Sequence, residues 1–332
     1  MATAPDNRVN IILLSGYLGS GKTTWLRHAL FGQTYGNAHV FVQEAAEQPV
    51  DDLLLDKAAR VTVLTGKAGT IEGRDEMVAA LLAMAEARTG PDGGDQPDTL
   101  VIETSGLADP ADIITAIRQH PILVYHFALR ETIIMSDALH FRTALESDPL
   151  CGQQILSADR VVIAKAEDMP AQSLSNLVAT LGKINPSAPV SLSTFGVEQP
   201  VPSLPAPTQT YDPARASPGP PTCVVSLPIP ENVDWVEFTV WLSALLHARG
   251  DTILRVKGVL NTDAGALLLQ SVRKIMQQPE ILPPEQAPSR PGDIVFIAEG
   301  LTLDSLRTSL LGFLGKEQPS APDFGTGQAG PK

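Results

Sequence analysis

Eight residues, Gly16-Tyr17-Leu18-Gly19-Ser20-Gly21-Lys22-Thr23, have the types and spacing to hold a row of phosphates. They fit the pattern G-x-x-x-x-G-K-[ST]. Glycines let the chain curl until backbone N–H groups face phosphate oxygens. A helix starting beside Lys22 adds the positive end of its dipole. The Lys22 ammonium can reach the outer phosphates, and the Thr23 hydroxyl can take a place on magnesium. Gly16, Gly19, Ser20, Gly21, Lys22, Thr23 and Thr24 are the candidate phosphate-binding residues.

Such a loop needs a strand to enter it and a helix to leave it. The apolar run 9–14 reads as a buried strand, and 24–30 as the first turns of a helix. Further strand-like runs lie at 38–43, 61–64, 99–103, 132–136, 160–164 and 189–193, with a helical stretch at 75–88. Strands alternating with helices predict an α/β fold, a mostly parallel sheet with helices on both faces. Its ligands belong at the carboxyl ends of the strands. The phosphate-loop NTPase domain is expected over 8–197. Residues 198–221 are crowded with Pro, Ser, Ala and Thr and read as an extended linker without packing. A smaller α+β domain is expected over 222–315, with strands at 223–227, 252–260 and 293–297 and helices at 235–248 and 302–313. In the first of these helices Trp235, Phe238, Trp241, Leu242 and Leu245 share one face, read as core. The tail, 316–332, reads as disordered.

Composition narrows the function. The chain of 332 residues carries a formal charge of -13, which disfavours nucleic acid and anionic membrane surfaces as partners. No run reaches the roughly 18 apolar residues that would span a bilayer. Residues 1–6 lack a basic-then-apolar leader pattern, so the expected compartment is the cytoplasm. Cys151 and Cys223 are far apart and form no C-x-x-C pair. The six histidines form no run or i,i+4 pair and read as surface or core filler.

A second motif, Glu103-Thr104-Ser105-Gly106-Leu107-Ala108-Asp109-Pro110, ends the most apolar central strand. A carboxylate there can support magnesium through water, and the following glycine can offer its N–H to a γ-phosphate. Together the two motifs resemble those of the CobW branch of the CobW/UreG/HypB GTPases, G-Y-L-G-[AS]-G-K-T-T and E-[TS]-[ST]-G-L-A-D-P. Met135-Ser136-Asp137-Ala138 resembles the family's V-V-D-A segment, and Gln153-Gln154-Ile155-Leu156-Ser157-Ala158-Asp159 its Q-x-x-x-A-D stretch. Leu254-Arg255-Val256-Lys257-Gly258 and the final strand and helix resemble its C-terminal domain. The resemblance implies GTP and Mg2+ as cofactors and hydrolysis that gates delivery of a metal to a client protein or cofactor pathway. It implies Lys22, Glu103 and Gly106 as catalytic residues and Thr23 and Glu103 as magnesium-supporting ones.

The chain departs from the family in three places. The base-reading N-K-x-D is Ala164-Lys165-Ala166-Glu167, so Lys165 and Glu167 are the candidate base contacts and guanine the expected base over adenine. The metal motif G-C-x-C-C is Gly66-Lys67-Ala68-Gly69-Thr70, without its three thiolates and with an added positive charge. Tight transition-metal binding is not expected there. The segment V-N-E-F-G-E-x-x-x-D is Val42-Gln43-Glu44-Ala45-Ala46-Glu47-Gln48-Pro49-Val50-Asp51. Asp51 is the candidate switch and magnesium residue, and Glu44 or Glu47 the candidate to orient the attacking water. The expected function is a slow, magnesium-dependent GTP hydrolase acting on a client protein, with self-association possible. Two other readings remain open: a non-catalytic nucleotide-gated interaction module, and an ATP-dependent small-molecule kinase.

Overall fold

A computed structural model describes residues 7–36, 38–43, 60–66, 70–89, 97–167, 169–214, 222–229, 234–276, 279–282 and 293–315. The first half runs β1 (Val9–Gly16), α1 (Lys22–Phe31), β2 (His39–Gln43), β3 (Arg60–Leu64), α2 (Ile71–Thr89), β4 (Thr99–Glu103) and α3 (Pro110–Gln119). It continues α4 (Leu123–His126), β5 (Phe127–Asp137), α5 (Phe141–Ser147), α6 (Pro149–Ser157), β6 (Arg160–Ala164), α7 (Ala171–Ile184), β7 (Val190–Thr194) and β8 (Val197–Pro200). The eight strands form one sheet in the order β3-β2-β4-β1-β5-β6-β7-β8. Every pairing is parallel except β7 with β8.

Strand β1 is central because it is apolar on both faces. Ile11 and Leu13 enter a core with α2 and α3, through Leu81, Ile113 and Ile114. Ile12 and Leu14 point the other way, into a core with Trp25, Leu26 and Leu30 of α1. This is the two-residue alternation of a strand. Each fully buried aliphatic side chain contributes about 1.5–3 kcal/mol. Helices α3 and α6 start alike, with Asp109 and Asp148 as N-caps followed by proline in the first turn. The sequence places the start of α2 four residues late, and it misses the first residues of β5.

The second half runs β9 (Thr222–Leu227), α8 (Trp235–Arg249), β10 (Ile253–Thr262), β11 (Gly265–Val272), β12 (Ile275–Met276), β13 (Glu280–Ile281), β14 (Ile294–Glu299) and α9 (Leu303–Phe313). Its antiparallel sheet has the order β12-β11-β10-β14-β9, with β13 beside β11. Phe238, Trp241, Leu242 and Leu246 of α8 and Leu306 and Leu310 of α9 cover one face. Trp235 is a correction: it is 44% exposed, at the mouth of the helix, and Leu246 completes the buried stripe instead. Strand β11 is absent from the sequence reading, because its Ala-Leu-Leu-Leu core has helical propensity. Pairing with β10 along its whole length overrides that preference.

Residues 198–221 differ most from expectation. Residues 198–200 lie in β8, and 201–214 have no regular secondary structure but are bound to α7. Asn176, 4% exposed, accepts the Thr208 N–H at 2.8 Å through Oδ1. Ser175 Oγ donates to Pro205 O at 2.6 Å, and the Tyr211 N–H donates to Thr180 Oγ1 at 3.1 Å. The segment is a strap because polar groups of α7 satisfy its backbone, which a Pro-rich composition does not reveal. Residues 215–221 and the expected disordered tail, 316–332, lie outside the described residues. Asn176→Ala leaves the Thr208 N–H without its acceptor and is expected to cost about 1–3 kcal/mol. Hydrogen exchange at residues 208 and 209 and a thermal melt check this; unchanged exchange there contradicts the assignment.

His39 supplies a pH dependence. It is 3% exposed, stacked edge-on to Phe41 and paired through Nε2 with Thr62 Oγ1 at 2.9 Å. Burial, and secondarily Arg60, push its pKa from 6.5 to about 4. The unfolded chain therefore binds the extra proton first, and stability falls as pH drops from about 6.5 through about 4. Urea melts across that window are expected to show a shallower loss for His39→Gln than for the wild type.

Candidate nucleotide-binding site

The carboxyl ends of β1, β4, β5 and β6 meet at one edge of the parallel sheet. Gly16 ends β1 with φ 139°, and a Cβ there would lie 2.2 Å from Met135 O of β5. Only glycine fits this approach. Gly19 and Gly21 also have positive φ, 72° and 87°, so the chain curls between strand and helix. Gly21 is the N-cap of α1, which has no side-chain cap and no acidic residue in its first turn. Its N-terminal dipole is thus left for an anion. Ser20 is 1% exposed, and its Oγ has no hydrogen-bond partner among the described residues. A buried hydroxyl of this kind calls for a polar ligand.

Lys22 folds back over the loop, donating from Nζ to Gly16 O at 2.9 Å and Tyr17 O at 3.4 Å. Burial lowers its pKa, and the Glu103 carboxylate opposes that shift. Thr23 Oγ1 donates to Glu103 Oε1 at 2.6 Å. Glu103 reaches it because β4 pairs with β1 in parallel, Leu14 beside Glu103. The pairing extends past the strands, with the Thr104 N–H on Leu14 O at 2.9 Å and Thr104 Oγ1 donating to Ser15 Oγ at 2.7 Å. Gly106 lies so close to the phosphate loop that a Cβ on it would sit 2.7 Å from Leu18 N. Lys22, Thr23, Glu103 and Gly106, expected as one constellation, are thus brought together.

Lys165 has φ 60°, and its Nζ donates to Gly19 O at 2.6 Å and Asp137 Oδ2 at 2.8 Å. The other candidate base contact, Glu167, is exposed on the same loop, and Ala164 packs beside Gly21. Thr24 follows Thr23 in the first turn of α1. Asp51, Glu44, Glu47, Asp168 and the aligned metal-motif residues Lys67, Ala68 and Gly69 lie outside the described residues.

Three residues of the site were given no role by the sequence reading. Asp137 is 8% exposed and accepts the Leu139 N–H at 2.8 Å as well as Lys165. Burial raises its pKa, but hydrogen bonds from Lys165, His140 and the Leu139 N–H outweigh burial and keep it below the usual carboxylate range. Gln154, 1% exposed on α6, donates to Gly106 O at 3.2 Å and Ala108 O at 2.9 Å. Tyr17 donates its hydroxyl to Asp148 Oδ2 at 2.7 Å, tying the loop to the start of α6. Asp137 and Gln154 lie in two of the segments that carry the family resemblance, which was the available signal. Cys151 of α6 is buried, and burial together with the Asp148 charge pushes its thiol up to about 12, unlike a thiolate ligand.

The family model for the CobW/HypB/UreG nucleotide-binding domain matches residues 10–191, and that for the cobalamin synthesis protein cobW C-terminal domain matches 223–314. The chain belongs to the CobW/HypB/UreG family. It is 34% identical over 191 residues to the zinc chaperone YjiA of Escherichia coli (strain K12), covering 57% of this chain and 59% of that protein. It is 26% identical over 229 residues to the zinc chaperone CobW of Pseudomonas aeruginosa, covering 59% of each chain. The match therefore spans somewhat over half the length of these curated relatives. The crystal structure of Zn(II)-bound YjiA GTPase from E. coli shares the fold, with TM-score 0.60 at 24% identity over 92% of this chain and 99% of that one.

Both phosphate motifs fall inside the matched nucleotide-binding domain of the CobW/HypB/UreG family. The Gly106–Leu18 approach then gives a direct test. Gly106→Ala forces the two loops apart and is expected to weaken triphosphate binding about tenfold, ~1.4 kcal/mol. Titration with a fluorescent triphosphate reads this, and unaltered affinity would sink the assignment of Gly106 to the site.

Proposed function

We propose that this chain binds GTP with magnesium, hydrolyses it slowly, and uses the change of state to gate a step on a client protein or in cofactor assembly. The observation that carries the reading is the Thr23–Glu103 hydrogen bond of 2.6 Å beside the Lys22 ammonium, with Gly106 packed on the same loop. A hydroxyl and a carboxylate are hard oxygen donors of the kind magnesium takes. Thr23 would hold the ion directly and Glu103 through water; when bound, it neutralises phosphate charge during transfer.

In this reading Lys22 leaves the Gly16 and Tyr17 carbonyls for the outer phosphates. The loop N–H groups and the α1 terminus hold the phosphates from below. Gly106 meets the γ-phosphate, so its position depends on whether that phosphate is present. Lys165 and Glu167 take the base, with Lys165 held ready by Gly19 and Asp137. The Glu167 carboxylate can accept from a guanine edge, which favours GTP over ATP. Slow turnover follows because neither phosphate motif brings an arginine finger or a catalytic glutamine.

The relatives' names connect them to zinc, and the metal-related character of the client step rests on that kinship. Zinc binding at the family's thiolate motif is not part of the proposal, because Lys67, Gly69 and Thr70 stand where the thiolates would be. The compartment is proposed to be the cytoplasm; none of the described helices is long and apolar enough to cross a membrane.

Calorimetric titration with GTP and, separately, ATP in magnesium buffer tests the reading. GTP is expected to bind tighter than ATP, and Lys22→Ala to lose at least about a hundredfold in GTP affinity, ~2.7 kcal/mol. Phosphate release above the Lys22→Ala background is expected at saturating GTP. Binding without release would move the reading to a nucleotide-gated interaction module. Equal or stronger ATP binding would remove guanine selectivity from it.

A further inference from the structure

Asp109 closes the second phosphate motif, and its two oxygens serve different domains. Oδ1 accepts the Ala111 N–H at 2.9 Å and caps α3, while Oδ2 accepts from Arg273 of the C-terminal sheet at 3.1 Å. Arg273 stands in the turn between β11 and β12 with φ 49°, a region that a bulky side chain rarely occupies. Its N–H donates to Leu254 O of β10 at 2.9 Å, which fixes the turn to the sheet. Neighbouring Val272 is 2% exposed and enters the core formed with Ile113, Ile114 and Ile117 of α3. The C-terminal sheet therefore grips the very start of the helix that follows the phosphate-sensing loop.

A second grip reaches the other end of that loop. Arg255 of β10 is 1% exposed, donates to Ser157 O at the end of α6 at 2.7 Å and pairs with Asp159. One turn earlier on α6, Gln154 holds the carbonyls of Gly106 and Ala108. Loop 106–109 is thus tied at one end through Gln154 and α6, and at the other through Asp109, to two arginines of one sheet.

We infer that Arg273 is a positioning residue for the nucleotide switch, coupling the place of Gly106 to the C-terminal sheet through Asp109. The inference rests on the proposed nucleotide reading of the site. A γ-phosphate that draws Gly106 alters the Asp109–Arg273 pair, and a client that shifts β11 and β12 alters the affinity for the triphosphate by the same factor. The diphosphate lacks the group that Gly106 would meet, so its affinity does not share the coupling.

The test compares GTP and GDP affinity in the full chain for Arg273→Ala, Arg273→Lys, Asp109→Asn and the double variant Arg273→Ala with Asp109→Asn. Asparagine still caps α3 but drops the charge. The Arg273 side chain is 40% exposed and the Asp109 side chain 13%, so the pair can be removed with less cost than the enclosed Arg255. Each single loss is expected to lower the GTP-to-GDP affinity ratio about fivefold. The double variant should lose no more than either single change, and Arg273→Lys should recover part of the ratio. If Arg273→Ala does not fold, Asp109→Asn alone carries the comparison. A wild type that binds GTP with a ratio unchanged in these variants overturns the coupling and leaves the site reading standing. Equal weakening of GTP and GDP with a lowered melting temperature also overturns it, since that marks a purely structural contact. A wild type that binds neither nucleotide overturns the site reading and the coupling together.

Discussion

The parallel pairing of β1 with β4 and β5 is the constraint from which the site follows. Leu14 beside Glu103 brings a carboxylate to the loop that β1 launches. Gly16 beside Met135 closes the other side so tightly that a Cβ cannot enter. Parallel strands put all their carboxyl ends at one edge, so three segments distant in sequence converge without any long loop having to reach. The cost is a central strand buried on both faces, and its apolar residues 11–14 meet that requirement. Just past this apolar run, the buried hydroxyls of Ser15 and Thr104 pair with each other.

The phosphate loop was legible because its chemistry is local: glycines, a lysine and a threonine at fixed offsets between a strand and a helix. The parallel sheet was legible for a related reason, since continuous apolar runs separated by helices admit few other arrangements. What escaped was set by tertiary contact. Strand β11 has the composition of a helix and becomes a strand only against β10. The strap at 201–214 has the composition of a linker and becomes fixed only because Ser175, Asn176 and Thr180 face it from α7. Trp235 lies in phase with a buried stripe but is the first residue of its helix, and it is left 44% exposed. Gln154 and Asp137 were visible as letters, but their contacts to Gly106, Ala108 and Lys165 are made across elements and have no local pattern.

Charge placement at the site has the same logic. Asp137 is buried and stays ionised because three donors converge on it, and the Lys165 ammonium is one of them. Lys165 in turn touches Gly19 of the phosphate loop. The proposed base loop and phosphate loop are therefore coupled by a single ammonium before any ligand arrives.

Just before the altered metal motif, the end of β3 is held by a single carboxylate. Glu76 of α2 accepts the Thr65 N–H at 3.1 Å and the Thr65 hydroxyl at 3.2 Å, and also accepts the Gly66 N–H. Burial alone would raise its pKa, yet the Gly66 and Thr65 donors keep it below the usual carboxylate range. Gly66 leaves no room for a side chain, since a Cβ would meet Glu76 and the Gly73 backbone at 2.7 Å. The strand end that leads into the motif is thus anchored by a carboxylate on the next helix, through bonds that need no ion. In this fold the loop at 106–109 is tied at both ends to the C-terminal sheet, directly through Asp109 and Arg273 and indirectly through Gln154 on α6, whose end is held by Arg255.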